Sequence, residues 1–331
     1  MNCVQIGFKV YIWKFMPTAI PSVSKQLTED QILNSISKNY SQLAKFLFNF
    51  HMEWLRGSYK TFHDHDKFII IQYLVHKTLN FLSENFIKLN FDSYYSKNQL
   101  EIANFNIVDV GRELNITKET TRRKILELEK IGAIIRDKKK IILNRTAFNF
   151  QKPNKTIVNV SYLLSKISEN LSKNGDLDKK LSSESIELHM RKNFTHCWKL
   201  FYEMQLPLVQ NWKKVFNDVE TWHIWGVIAT QKSFRSTNTK LLSREQYVED
   251  ALKYPGLGIN AMSVAELTGI PRATVVRKLN GLLKKKFISV DEKKLYTPKK
   301  TELKIFSETN KKGTHLLATF FCRIINLIQT N

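Results

Sequence analysis

The sequence predicts a mainly α-helical protein with small β-wings, built from one unit used twice. Three observations carry this expectation. Apolar residues recur at helical spacing through most of the chain, a 35-residue segment returns after a shift of 154 residues, and short β-branched runs follow the basic helix in each copy. With 331 residues, 43% of them apolar, the chain can bury one large core or two ordinary ones. The repeat favours two, so the chain divides into an N-terminal extension (1–27), a first unit (28–174), a polar linker (175–184, within NGDLDKKLSSE) and a second unit (185–331).

The elements of the first unit follow from local chemistry. In NITKETTRRKILELEKIGAI (115–134), Thr121, Ile125 and Leu128 fall at i, i+4 and i+7 and form one buried stripe. Lys118, Glu119, Arg122 and Arg123 then face away from it. Thr117 suits the N-cap, and Gly132 stands where a left-handed residue commonly stops a helix. Upstream, VGRELNI (110–116) supplies a shorter helix with small Gly111 and apolar Leu114, and Asn115 with Ile116 makes the turn between the two. Downstream, AIIRDKKKIIL (133–143) reads as two strands joined at 137–139. Helix, turn, helix and basic hairpin in this order make a winged helix-turn-helix.

The same order returns in SVAELTGIPRATVVRKLNGLLKKKFISVDEKKLYT (263–297), which aligns without a gap on 109–143. Eleven of the 35 pairs are identical. Roughly two or three would be expected by chance at this composition, so the fixed period marks an internal duplication. Val110 and Val264, Ile116 and Ile270, Thr120 and Thr274, Arg123 and Arg277, Lys124 and Lys278, Leu128 and Leu282, and Ile134 and Ile288 are among the matches. The shift extends upstream, where Phe62, Asp64 and Ile70 meet Phe216, Asp218 and Ile224. Apolar helices at 161–167 and 315–321 correspond downstream. Each unit therefore has long apolar helices before and after its winged helix, roughly 30–56 with 158–172 and 186–206 with 312–328.

The segments LNITKETTRRKILELEKIGAI and LTGIPRATVVRKLNGLLKKKFI resemble the winged helix-turn-helix regions of bacterial transcription regulators of the MarR and IclR kinds. The resemblance covers about a quarter of the chain. It implies a second helix lying in the DNA major groove and a wing touching the backbone or minor groove. In MarR-type proteins the flanking helices also dimerise two subunits. Here both copies share one chain, which implies a monomer acting as a covalent pseudo-dimer.

A recognition helix presents its N-terminal residues to base edges and its flanks to phosphates. In the first copy the base-edge candidates are Thr117, Lys118 and Arg122, with Arg123, Lys138, Lys139 and Lys140 on phosphates. In the second copy the base-edge positions hold Pro271, Arg272 and Val276, with Arg277, Lys293 and Lys294 on the backbone. Arginine can bond guanine bidentately, whereas valine offers only apolar contact, for example with a thymine methyl. Two unlike half-sites are expected.

Charge agrees with this placement. Lys and Arg number 52 against 30 Asp and Glu, a formal charge of +22 that calls for an acidic partner. Lys, Asn and Ile enrichment is also what an AT-rich genome produces, so position matters more than the total. From Thr117 to Arg145 ten basic residues face four acidic ones, and from Pro271 to Lys300 ten face two. An anionic membrane is the weaker partner: no apolar run approaches the roughly 20 residues that span a bilayer. The stretch CVQIGFKVYIWKFM is interrupted by Lys9 and Lys14 and lacks a small-residue cleavage site. A cytoplasmic, nucleoid-associated location is expected, in keeping with three scattered cysteines, Cys3, Cys197 and Cys322.

Other constellations carry less. His63, Asp64, His65 and Asp66 offer metal-ligand types, but adjacent positions at a helix start point in several directions and aspartate is a good cap there. Trp212, Trp222, His223 and Trp225 suit core packing, with a pocket for a small-molecule effector as the alternative. No nucleophile triad, paired-carboxylate site, Gly-rich phosphate loop or CxxC pair is evident, so neither catalysis nor a cofactor is expected. Sequence-specific duplex DNA binding for transcription regulation is the function expected. Replication initiators of the plasmid or phage type, which also resemble tandem winged helices, are the second reading. A winged helix that docks a protein is the third, and would show a face depleted in charge.

Overall fold

The computed structural model describes residues 26–102, 106–137, 140–235, 241–253, 258–299 and 304–329. Residues 1–25 of the N-terminal extension, with Cys3, and Lys138 and Lys139 lie outside them. Helices dominate, and the strands form two small antiparallel sheets.

The first half runs through α1 (Glu29–Lys38), α2 (Tyr40–Phe62), α3 (His65–Glu84), the short α4 (Phe91–Tyr94), β1 (Gln99–Ile102), α5 (Ile107–Glu113), α6 (Lys118–Lys130), β2 (Ile134–Asp137), β3 (Lys140–Asn144) and α7 (Asn154–Lys173). The second contains α8 (Ser183–Lys192), α9 (Phe194–Phe216), α10 (Val219–Arg235), α11 (Arg244–Lys253), α12 (Ala261–Thr268), α13 (Arg272–Lys284), β4 (Ile288–Val290), β5 (Tyr296–Pro298) and α14 (Lys304–Gln329). A shift of 154 carries the bounds of α1, α2 and α6 onto those of α8, α9 and α13 residue for residue.

The backbone repeats in finer detail. Left-handed residues occur at His63 and Asn217, Asn115 and Gly269, and Gly132 and Lys286, each pair separated by 154. After α6 the Gly132 amide bonds the Glu129 carbonyl and the Ala133 amide that of Leu128. After α13 Lys286 and Phe287 bond Leu283 and Leu282 in the same way. This closure satisfies the last carbonyls of a helix and needs a left-handed residue, which glycine adopts without steric cost and lysine does not.

The hairpin expected at 133–143 is present, with Ile134 opposite Leu143 and Asp137 opposite Lys140. It gains a third strand that periodicity did not predict: β1 pairs with β3, so the sheet order is β1-β3-β2. In the second half a single bridge from Ile259 to Tyr296 stands in that place beside β4 and β5. β1 has just four residues, two of them acidic or amide, too short for alternation to register.

The long helices bury their stripes against the opposite half as well as their own. Thr195 donates its amide to the Leu89 carbonyl (3.1 Å) and accepts from the Leu89 amide (3.0 Å). Ser41, 154 residues before Thr195, makes the same reciprocal pair with Leu242 at 3.2 and 3.0 Å. Ahead of α8, the Leu181 carbonyl accepts from Ser168 on α7. Ahead of α1, the Leu27 carbonyl accepts from Cys322 on α14. Helices α2, α3, α9 and α10 meet at the centre, where Phe50 packs edge-on against Phe201 and the rings of His65 and His223 lie 5.4 Å apart. The polar run after α7 is packed rather than free, with Leu177 buried and Asp176 accepting from Gln31. No helix among the described residues is long and apolar enough to cross a membrane.

Candidate nucleic-acid interface

The interface candidates lie on α6 and α13. Thr121, Ile125 and Leu128 are buried and anchor α6, and Val275, Leu279 and Leu282 do the same for α13. Small Gly111 lets α5 approach. A Cβ there would come within 3.0 Å of the Thr121 hydroxyl and 3.1 Å of the Ile116 carbonyl oxygen. Asn115 in the left-handed region turns the chain from α5 into α6, and Gly269 does so between α12 and α13.

With the stripe buried, Lys118, Arg122 and Arg123 on α6 and Arg272, Val276 and Arg277 on α13 are all exposed. Arg123 stands 3.7 Å from Glu127, a loose exposed pair. Among the described residues Lys118, Arg122, Arg272 and Arg277 have no acidic partner. Thr117 caps α6, its hydroxyl accepting from the Thr120 amide (3.3 Å) and donating to the Thr120 side chain (2.9 Å). Pro271 occupies the same position before α13 without a side-chain cap. In the small sheets, Lys140 pairs with Glu101 of β1 at 3.1 Å, and Lys293 and Lys294 are exposed on the turn between β4 and β5. Lys138 and Lys139 fall outside the described residues.

Lys124 belongs to a different system. Although it follows Arg122 and Arg123, it turns inward to ion-pair with Asp64, its side chain 12% exposed against 17% for the aspartate. Asp64 also caps α3, accepting from the Lys67 amide (3.2 Å). Lys278 pairs with Asp218 in the same manner, and Asp218 accepts from the amide and hydroxyl of Thr221 at the start of α10. Burial alone would raise the Asp218 carboxyl, yet Lys278 and Thr221 hold it below its ordinary value. Glu127 is likewise held low, by a hydrogen bond from Lys67 of α3. These ties fix α6 and α13 on the helices beneath them. Two identities at a common spacing of 60, Asp64 with Lys124 and Asp218 with Lys278, were the sequence signal for them.

The remaining candidates resolve into structure. Around His63 the side chains diverge: Asp64 caps and pairs, His65 is buried with Nδ1 2.6 Å from the Ser58 hydroxyl, and Asp66 pairs with Lys213 of α9 at 2.8 Å. Trp212 stacks on Trp222 (5.8 Å, 10°) and on Trp225 (6.1 Å, 26°), with Phe216 and Phe306 against them. That cluster is packed. Cys197 is buried, which pushes its thiol up to about 12, and Cys322 is engaged with Leu27. A cleft does exist elsewhere, beside Arg145, a residue periodicity gave no reason to single out.

No known family, characterised protein or solved structure matches this chain at a significant level.

Proposed function

We propose that the chain is a sequence-specific duplex DNA-binding transcription regulator. It consists of two unlike winged helix-turn-helix units that arose by internal duplication and act as a covalent pseudo-dimer. One observation carries the reading: α6 and α13 each sort their basic residues in two, the inward lysine paired to a helix-capping aspartate and the outward ones exposed, with Lys118, Arg122, Arg272 and Arg277 unpaired and Arg123 loosely held by Glu127. Unpaired cations in a row along a helix raised on a rigid base are what phosphate and base-edge contacts require. On α13 no acidic residue interrupts that face. The exposed lysines of the second wing add contacts to the flanking backbone, and the ties to α3 and α10 hold the two reading helices at one separation.

The test is fluorescence anisotropy of labelled duplexes with the full chain across a salt series. With six or more phosphate contacts, affinity falls roughly a thousandfold between 50 and 200 mM salt. A flat salt dependence, or no binding at low salt, overturns the proposal.

A further inference from the structure

We propose that the two halves grip the duplex backbone unequally: the flank of α13 formed by Arg277, Gly281 and Lys284 seats phosphates, and the matching flank of α6 is closed to them by Glu127. The inference rests on the DNA-binding reading and assigns, within it, the half of the chain that supplies most of the electrostatic affinity.

Arg277, Gly281 and Lys284 each stand two residues beyond a member of the buried stripe Val275, Leu279 and Leu282, so they line the outward side of α13. All three are exposed. Gly281 lies inside the helix, and a Cβ there would meet nothing within 4 Å. Glycine inside a helix is destabilising relative to alanine. Gly111 is explained within the chain, since its Cβ would press on Thr121 and Ile116, but the chain's own packing gives no such reason for Gly281. A partner whose backbone lies directly on the helix supplies one, because close approach is what a missing side chain permits.

Charge identifies that partner as phosphate. Arg277, Lys284, Lys285 and Lys286 are exposed and, among the described residues, have no acidic partner. Lys286 stands at a left-handed position (φ 58°) whose counterpart in the first half is Gly132, so a cation is kept where glycine would be less strained. The first half is arranged the other way, with Arg123, Glu127, Lys130, Ile131 and Gly132 at the matching positions. Glu127 takes the place of Gly281, bonds Lys67 of α3 at 2.7 Å and stands 3.7 Å from Arg123. The Lys67 hydrogen bond, above all, holds its carboxyl below the ordinary value, and it stays anionic. In the second half Thr221 replaces Lys67, and α13 carries no carboxylate. A phosphate approaching α6 therefore meets a fixed negative charge beside Arg123. At α13 it meets unpaired cations and a bare stretch of helix.

The experiment follows fluorescence anisotropy of a labelled duplex of arbitrary sequence, about 30 base pairs long, with the full chain across a salt series, alongside thermal unfolding. Arg277→Ala should lower the salt slope by about one, and Arg123→Ala by less than about half of one. Gly281→Ala should raise the thermal midpoint, since alanine favours the helix and its Cβ has room, yet weaken binding at least about fivefold. Gly281→Glu, which copies the first half, should weaken binding at least about thirtyfold and lower the slope by about one. A Gly281→Ala protein that is more stable and binds like the wild type overturns the inference. So do a lower midpoint accompanying its weaker binding, wild-type affinity in Gly281→Glu, or equal slopes for Arg277→Ala and Arg123→Ala. Any of these with a wild-type chain that binds the duplex leaves the DNA-binding reading standing, whereas a wild-type chain that binds no duplex at low salt overturns both.

Discussion

The Lys124 ammonium lies against the Asp64 carboxylate, sixty residues earlier in the chain, and Lys278 lies against Asp218 across the same separation. Each pair ties the basic helix to the capped start of a core helix. Removing the lysine leaves a largely buried carboxylate without its cation, with only the Lys67 amide to hold it. Lys124→Ala should therefore destabilise the fold by about 2–4 kcal/mol, whereas Arg122→Ala, two residues away and in solvent, should change stability by less than about 0.5 kcal/mol. Urea unfolding of both variants distinguishes them. Equal effects would mean that Lys124 does not make this contact in solution.

Arg122 and Lys293 should separate on DNA. Arg122→Ala is expected to relax specificity at one or two base pairs and to cost about 1–3 kcal/mol, since a bidentate arginine reads a base edge. Lys293→Ala should weaken all sequences alike and lower the salt slope by about one. Selection from a randomised duplex library checks this. An unchanged consensus for Arg122→Ala would mean that α6 lies in the groove another way.

Acid should destabilise the protein through its buried imidazoles. Burial lowers His65 to about 3 and His51 to about 4, and His223 lies well below its ordinary value through burial, His65 and Arg56. Asp64 and Asp218 pull His65 the other way without reversing the shift. A histidine held neutral in the fold contributes stability that is complete above its free value of about 6.5 and is lost as pH falls toward the folded value. Each such group costs about 1.4 kcal/mol per pH unit through that window. Chemical denaturation at pH 7 and pH 5 should show the loss, and His223→Phe should flatten it.

Glu220 acts in the opposite direction. Burial first, then Asp218 and Asp66, raises it to about 7 despite Lys278. The residue matching it in the first half, Asp66, has Lys213 as a partner, but the position matching Lys213 holds Tyr59. The fold therefore prefers Glu220 protonated and loses stability as pH rises from about 4.5 to 7. Glu220→Gln should stabilise by about 1–3 kcal/mol at pH 8 and leave stability unchanged at pH 4. Gain at both pH values would assign the effect to packing instead.

Assembly follows from the paired contacts between halves. Thr195 with Leu89 and Ser41 with Leu242 make matching reciprocal bonds, and the segments before α1 and α8 are each held by the last helix of the other half. Ile32 and Ile36 of α1, Leu163 and Leu164 of α7 and Ile186 and Met190 of α8 are buried within the one chain, and the covalent link keeps the local concentration high. Sedimentation at micromolar concentration should give the mass of one chain, and footprinting should protect two half-sites about 34 Å apart. A stable two-chain species would count against the covalent pseudo-dimer.

Local pattern alone determined the helix pairs within 110–131 and 264–285, their turn residues and the sequence repeat, but not the breaks at Asn39 and Asn193 that split the long helices expected at 30–56 and 186–206. A stripe such as Thr121, Ile125 and Leu128, a cap such as Thr117 and a stop such as Gly132 act within a few residues, so their chemistry is written in adjacent letters. A duplicated pattern is equally visible, because it is a comparison of the sequence with itself. Tertiary structure decided which charges are spent inside and which remain for a partner. Lys124 and Arg122 are alike as letters, and only the arrival of Asp64 from α3 separates them. It also decided that β1 extends the first small sheet, that the Trp212 cluster is filled, and that the long helices serve both halves. Those outcomes depend on groups 39 to 299 residues apart meeting in one place, and Coulomb attraction, desolvation and packing volume act on that distance in space, which the order of residues does not state.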